Sequence, residues 1–314
     1  MPPGTDSEPL HLETPLLESR ALSVLGGRSV FLKMEALQPP GSFKIRGIGL
    51  ACQEYAQRGA HRFISSSGGN AGMAVAYAGR QLRIPVTVVV PESASERAKA
   101  LIRRDSAEVI VHGASWFEAN AFAQSMMGEY DAFLHPFDDP LLWRGHASMV
   151  DEIVRAGVRP DVVVLSVGGG GLLCGAVEGL RRNGLHSVPV IAVETLGADS
   201  LAQSLFAGQR VTLPAITSIA SSLGARQVCA QALRVAAEHP VISAVVSDGA
   251  SVAACLRFLE DHRVLVEPAC GASLALLYGA HPVLAGFSNV LVVVCGGATA
   301  SLAQLETWSQ TLPN

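Results

Sequence analysis

The chain has 314 residues, 49% of them hydrophobic, enough for a sizeable core built as one large domain or two smaller ones. Charged residues make up only 16% and leave a net charge of -4, so there is no electrostatic footprint for nucleic acid or an anionic membrane surface, and the expected partner is a small molecule. The six cysteines, Cys52, Cys174, Cys229, Cys255, Cys270 and Cys295, form no Cys-x-x-Cys pair, which excludes a zinc ribbon and implies a reduced, cytoplasmic protein.

In chain order, the start is polar and proline-bearing over residues 1–12 and reads as an arm, without the basic start and apolar run of a secretory signal. Thr14-Pro15-Leu16 leads into a short helical stretch, and residues 29–34 read as a strand. Pro39-Pro40-Gly41 sets a turn, after which a helix runs from Lys44 through Leu50 towards Tyr55. Strands at 62–65, 86–90 and 109–111 then alternate with helices at 70–82 and 95–104. Pro136-Phe137-Asp138-Asp139-Pro140 suits a linker. Beyond it come a helix around 146–155, a strand at 161–167, a helix opening at Leu172, and strands at 188–194 and 291–295. The longest apolar run, 162–177, is broken by Ser166 and four glycines and cannot span a bilayer. Alternation at this spacing implies parallel pairing with right-handed crossovers. The expected fold is therefore α/β: two open, mainly parallel twisted sheets with flanking helices, facing each other across a cleft. A large domain would comprise 1–38 and 141–314, and a small one 39–140.

Four stretches carry chemistry. In Gly41-Ser42-Phe43-Lys44-Ile45-Arg46-Gly47, one lysine sits where a flexible loop enters a helix. The helix terminus and the cationic Arg46 both favour its neutral amine, the form that condenses with an aldehyde; taken alone, a solvated surface lysine is the ordinary reading. Gly168-Gly169-Gly170-Gly171 follows a buried-looking strand and opens a helix, so backbone amides can converge on a phosphate, although a tight turn would use the same residues. A P-loop is excluded because Ala176-Val177 follow Gly175 in place of Lys and Ser or Thr. A dinucleotide fingerprint lacks its third glycine, with Leu173 and Cys174 there, but Glu194 at a strand end resembles a ribose-binding acid, so a nicotinamide-dependent oxidoreductase stays open as an alternative.

The third stretch, Ser65-Ser66-Ser67-Gly68-Gly69-Asn70-Ala71-Gly72, gathers hydroxyls, an amide and helix N–H groups that match a carboxylate, or else merely caps the helix. The fourth, Val293-Val294-Cys295-Gly296-Gly297, ends a strand in a thiol for which no base is apparent. No Gly-x-Ser-x-Gly elbow and no His-Glu-x-x-His occurs, so serine hydrolase and zincin chemistry have no support. An aldehyde for Lys44, a phosphate for the glycines and an amino-acid carboxylate beside Ser67 and Asn70 are requirements that pyridoxal 5'-phosphate meets together.

With these residues in order, and with Gly145-His146-Ala147-Ser148 and 265–271 between them, the sequence resembles the fold-type II pyridoxal-phosphate enzymes, specifically the catabolic L-serine/L-threonine dehydratases and their serine dehydratase-like branch. The resemblance implies an ammonia-lyase that turns serine into pyruvate and threonine into 2-oxobutanoate. Lys44 would be the Schiff-base lysine and Cα base, with Phe43 on one cofactor face and Ser222 or a neighbour on the other. It also implies that Gly168, Gly169, Gly170, Gly171 and Leu172 bind the phosphate, that Ser67, Gly68 and Asn70 bind the substrate carboxylate, and that Cys295 contacts the pyridine nitrogen. Glu194, with backbone oxygens of Gly168, Ala198, Leu223 and Ala225, resembles the family's site for potassium or another monovalent cation, and a homodimer is the expected assembly. Gly68 departs from the alanine of liver-type enzymes, and Ala298-Thr299 from their Ser-Asn. Serine racemase activity, with a serine such as Ser221 or Ser222 reprotonating Cα, and a catalytically weak pyridoxal-phosphate-binding regulatory protein are the remaining alternatives.

Overall fold

The structure, a computed structural model, describes residues 8–312. The described chain divides into two compact units, the smaller formed by 8–12 and 44–136, the larger by 13–43 and 137–312. In chain order the strands are β1 (Leu16–Glu18), β2 (Ser29–Lys33), β3 (Arg62–Ser65), β4 (Val86–Val90), β5 (Glu108–Val111), β6 (Asp131–Phe133), β7 (Val162–Ser166), β8 (Val190–Thr195), β9 (Val241–Val246) and β10 (Asn289–Val293).

The larger unit holds a 6-stranded sheet in the order β1-β2-β10-β7-β8-β9. All its neighbours pair in parallel except β1 with β2. Every residue of β7 (VVVLS) and β8 (VIAVET) is buried, as expected of parallel strands covered on both faces. The helix Pro268–Tyr278 packs against these strands and is buried all round but for its last residue. The smaller unit holds a 4-stranded sheet in the order β5-β4-β3-β6, parallel throughout, with β4 (VTVVV) buried along its length.

The two mainly parallel sheets agree with the expected α/β class, but several details differ. The chain after Pro15 first forms β1, and a short helix, Arg20–Gly26, begins only where Ser19 accepts from the Leu22 N–H. The helix Trp116–Ser125 and the strands β6 and β9 were not anticipated. The expected linker holds the division between the units, at Pro136 and Phe137, and its last residue opens a helix, Pro140–Arg155, with Asp139 as N-cap and proline in the first turn, where a missing N–H costs nothing. Residues 39–43 lie with the larger unit because Ser42 bridges Gly296 and the Phe43 N–H donates to the Cys295 carbonyl at 3.0 Å.

The arm expected over 1–12 lies outside the described residues as far as residue 7. From Glu8 it belongs to the smaller unit, where Gln53 Nε2 donates to the Glu8 carbonyl at 2.9 Å. All six cysteines are free and buried. Among the described residues no helix is long and apolar enough to cross a membrane.

Candidate active site

In the smaller unit, Lys44 is the first residue of the helix Lys44–Gln57. Its side chain is half-buried, and Nζ donates to the Pro136 carbonyl at 2.6 Å, so the amine is restrained and not a freely solvated surface group. The stretch 65–70 continues β3 into the helix Asn70–Leu82. That helix starts behind Gly69 with no side-chain cap, so its positive end faces the loop 65–69. Ser67 Oγ accepts from the Gly69 N–H at 3.3 Å, and Asn70 is buried at the helix start. One neighbour was missed from sequence: Ser66 Oγ donates to Asn120 Oδ1 at 2.8 Å, which ties the loop to the helix Trp116–Ser125. A polar residue on an unrecognised helix gave no signal.

In the larger unit, the helix Gly171–Arg182 begins after Gly170, again with no side-chain cap. Gly170 sits at φ +92, a left-handed conformation that a side chain strains. At Gly169 a Cβ would lie 2.2 Å from the Phe137 ring, so the ring packs directly on the backbone of the turn. The result is a walled cradle of backbone N–H groups at a helix start, a shape and polarity that accept a phosphate-sized anion. Beside it, Ser222 lies on the short 3-10 turn Ser221–Leu223, whose backbone meets Gly168.

Phe43 and Cys295 also come together in this unit through their backbone bond, and the Phe43 ring meets His146 edge-on with centroids 4.9 Å apart. The hydrogen bond to Cys270, reinforced by burial, holds the Cys295 thiol well above the usual thiol range, so it stays protonated and uncharged.

Glu194 leaves β8 beside the cradle, since Ser166 of β7 pairs with Val193. Its two carboxyl oxygens accept from the N–H groups of Leu201 and Ala202 at 2.8 and 2.7 Å, at the start of the helix Ser200–Ala207. Burial pushes this carboxyl up to about 8, against the lowering effect of those two bonds. The buried Ala198 donates its N–H to the Thr195 carbonyl at 2.9 Å, and the Ala225 N–H bonds the Leu223 carbonyl at 2.7 Å. Among the described residues, no group of three or more His, Cys, Asp or Glu side chains could hold a metal ion.

The smaller unit thus holds a restrained lysine and an uncapped helix start, and the larger unit a second uncapped helix start and a neutral buried thiol. A family model described as pyridoxal-phosphate dependent enzyme matches residues 8–296, and the chain belongs to that family, with the fold-type II architecture the resemblance implied. Its relatives include the L-serine dehydratase/L-threonine deaminase of Bos taurus, 47% identical over 97% of this chain and 96% of that protein. A serine dehydratase-like protein of Mus musculus is 49% identical over 96% of this chain and 94% of its own length. Among solved structures, a fungal L-serine ammonia-lyase from Rhizomucor miehei superposes with a TM-score of 0.91 at 36% identity, covering 96% of this chain and 98% of that one.

Proposed function

We propose that this protein is a pyridoxal-phosphate-dependent ammonia-lyase that removes water from L-serine and L-threonine, giving pyruvate or 2-oxobutanoate and ammonia. The observation that carries the reading is the restrained amine of Lys44 in a chain aligned almost end to end with serine dehydratases. The turn at 168–171 suits the cofactor's phosphate, because it opens the helix Gly171–Arg182 with no side-chain cap and packs so tightly against Phe137 and Ala232 that only glycine fits at 169 and 170.

When bound through its aldehyde to Lys44, pyridoxal phosphate supplies an electron sink that acidifies the Cα–H of an attached amino acid. The chain's own residues do the rest. Gly168, Gly169, Gly170, Gly171 and Leu172 would hold the phosphate, with Phe43 to one side of the ring and Ser222 to the other. Cys295 meets the ring nitrogen as a neutral thiol. A neutral thiol there would leave the nitrogen without a full positive charge, which would favour prompt loss of the β-hydroxyl over transamination. Ser67, Gly68 and Asn70 orient the substrate carboxylate, and Lys44 takes the Cα proton. The Cα proton taken by Lys44 and the β-hydroxyl together make up the water lost, and the released enamine tautomerises and is hydrolysed by one water to the 2-oxo acid and ammonia.

Glu194 and the backbone oxygens of Gly168, Ala198, Leu223 and Ala225 would hold potassium or a similar monovalent cation. The upward shift at Glu194 supports this, because a cation would provide the compensating charge that burial withholds. Six free thiols support a reducing, cytoplasmic setting, and the family resemblance supports a homodimer.

The test is direct. Purified protein incubated with L-serine and L-threonine should release pyruvate and 2-oxobutanoate, and borohydride should fix a pyridoxyl adduct on Lys44. D-serine formed without oxo acid would mean a racemase. An adduct without either product would mean a catalytically silent binding protein, and no adduct at all would overturn the reading.

A further inference from the structure

Between the helices Ser200–Ala207 and Ala230–Glu238 runs a long irregular loop that contains Ser222, Leu223 and Ala225. Such a loop keeps one conformation only where something pins it. One pin lies away from the residues discussed so far. Asp248, the first residue of the helix Asp248–His262, accepts from Ser218 Oγ with Oδ1 at 2.6 Å and from the Ile219 N–H with Oδ2 at 3.0 Å. Ser218 Oγ is itself a hub, accepting from the Ala220 N–H at 3.0 Å and lying 2.8 Å from Thr195 Oγ1 at the end of β8. The Thr217 N–H bonds the Gly197 carbonyl at 3.1 Å, fastening the same stretch to the residues after β8.

Asp248 is not occupied in capping its own helix. Ser247 is the N-cap and accepts from the Ala250 N–H at 3.0 Å, so both carboxylate oxygens of Asp248 are spent on the loop. The chain then turns through Ser221–Leu223, and this turn seats on the cradle: a Cβ at Gly168 would lie 2.9 Å from Leu223 Cα and 3.1 Å from the Ser222 carbonyl. A few residues later the Cys229 N–H bonds the Gly169 carbonyl at 3.0 Å. The carboxylate clamp thus fixes the wall against which the first glycine of the cradle is built.

We propose that Asp248, through Ser218 and Leu223, is a positioning residue for the phosphate-binding turn. It sets the backbone of Gly168 for the cofactor's phosphate without touching the cofactor. This rests on the cofactor assignment made above.

The experiment compares two ligands on cofactor-depleted protein: pyridoxal 5'-phosphate and pyridoxal, which has the aldehyde and ring but no phosphate. Binding is read from the visible absorbance that develops with each. Asp248→Ala should weaken binding of the phosphorylated ligand about tenfold or more and leave pyridoxal binding unchanged. Asp248→Asn keeps one acceptor oxygen and should fall between. Ser218→Ala, which removes only a hydroxyl, should show the same selective loss and decides the matter if Asp248→Ala does not fold. Equal affinities in variant and wild type would overturn the proposal, and so would equal losses for both ligands, the mark of general loosening. A wild-type protein that binds neither ligand would instead sink the cofactor assignment, and this inference with it.

Discussion

The two strand-to-helix turns, 65–70 in the smaller unit and 166–171 in the larger, are built to one plan: a parallel strand, a run of small residues and a helix without a side-chain cap. They differ in what surrounds them. The larger unit's turn is walled by Phe137, Ala232 and Leu223, all within 2.9 Å of where a Cβ would stand. In the smaller unit, a Cβ at Gly69 would meet nothing within 4 Å, and one at Gly68 would come no nearer than 3.2 Å to Ala94. A packed cradle suits a group that is bound once and kept, and an open loop suits one that arrives and leaves each turnover. Packing is thus what separates two turns of similar plan.

The largest effect is expected at Lys44, the proposed Cα base. Lys44→Ala removes the Cα base and should cut 2-oxo acid release by about 10⁴-fold or more, measured with serine at saturation. The contrast itself can be broken by paired methyl insertions. Gly169→Ala forces a methyl against Phe137 and should destabilise the unit by about 1–3 kcal/mol in urea unfolding, with weaker cofactor retention. Gly69→Ala, in open space, should stay within about 0.5 kcal/mol of wild type. Equal effects would mean the two turns are not differently packed. Ser67→Ala should raise the KM for serine about tenfold while cofactor affinity holds, which separates the open turn's ligand from the closed one's.

The smallest effect concerns Glu194. Its carboxyl is raised from the ordinary 4.5 to about 8 by burial, so the folded state favours the protonated form. The stability this contributes is fully present below about 4.5 and is lost as pH rises through about 8. Urea midpoints in buffer free of potassium should fall across that window. Glu194→Gln should flatten the profile, and added potassium should recover stability at its alkaline end.

Much of this was legible in the sequence where local pattern and tertiary role agree. β3, β4 and the helix Asn70–Leu82 are bounded by turn residues and read directly. β1 was not, because three residues after a proline carry no periodicity and become a strand only by pairing with β2. The helix Pro268–Tyr278 is buried on nearly every side, which erases the 3.6-residue polarity pattern by which helices are recognised. The glycine run and Lys44 announced themselves by composition. Asn120, Asp248 and the Cys270 bond to Cys295 did not, since a lone polar residue acquires its meaning from the partner the fold brings to it.

The burial of every free thiol has a practical consequence. A sulfhydryl reagent can modify the native chain only when a segment opens, so labelling rates are clocks for local unfolding. Cys52 lies in the smaller unit and the other five in the larger, so mass-resolved labelling would time the two units independently in one sample, with no introduced probe.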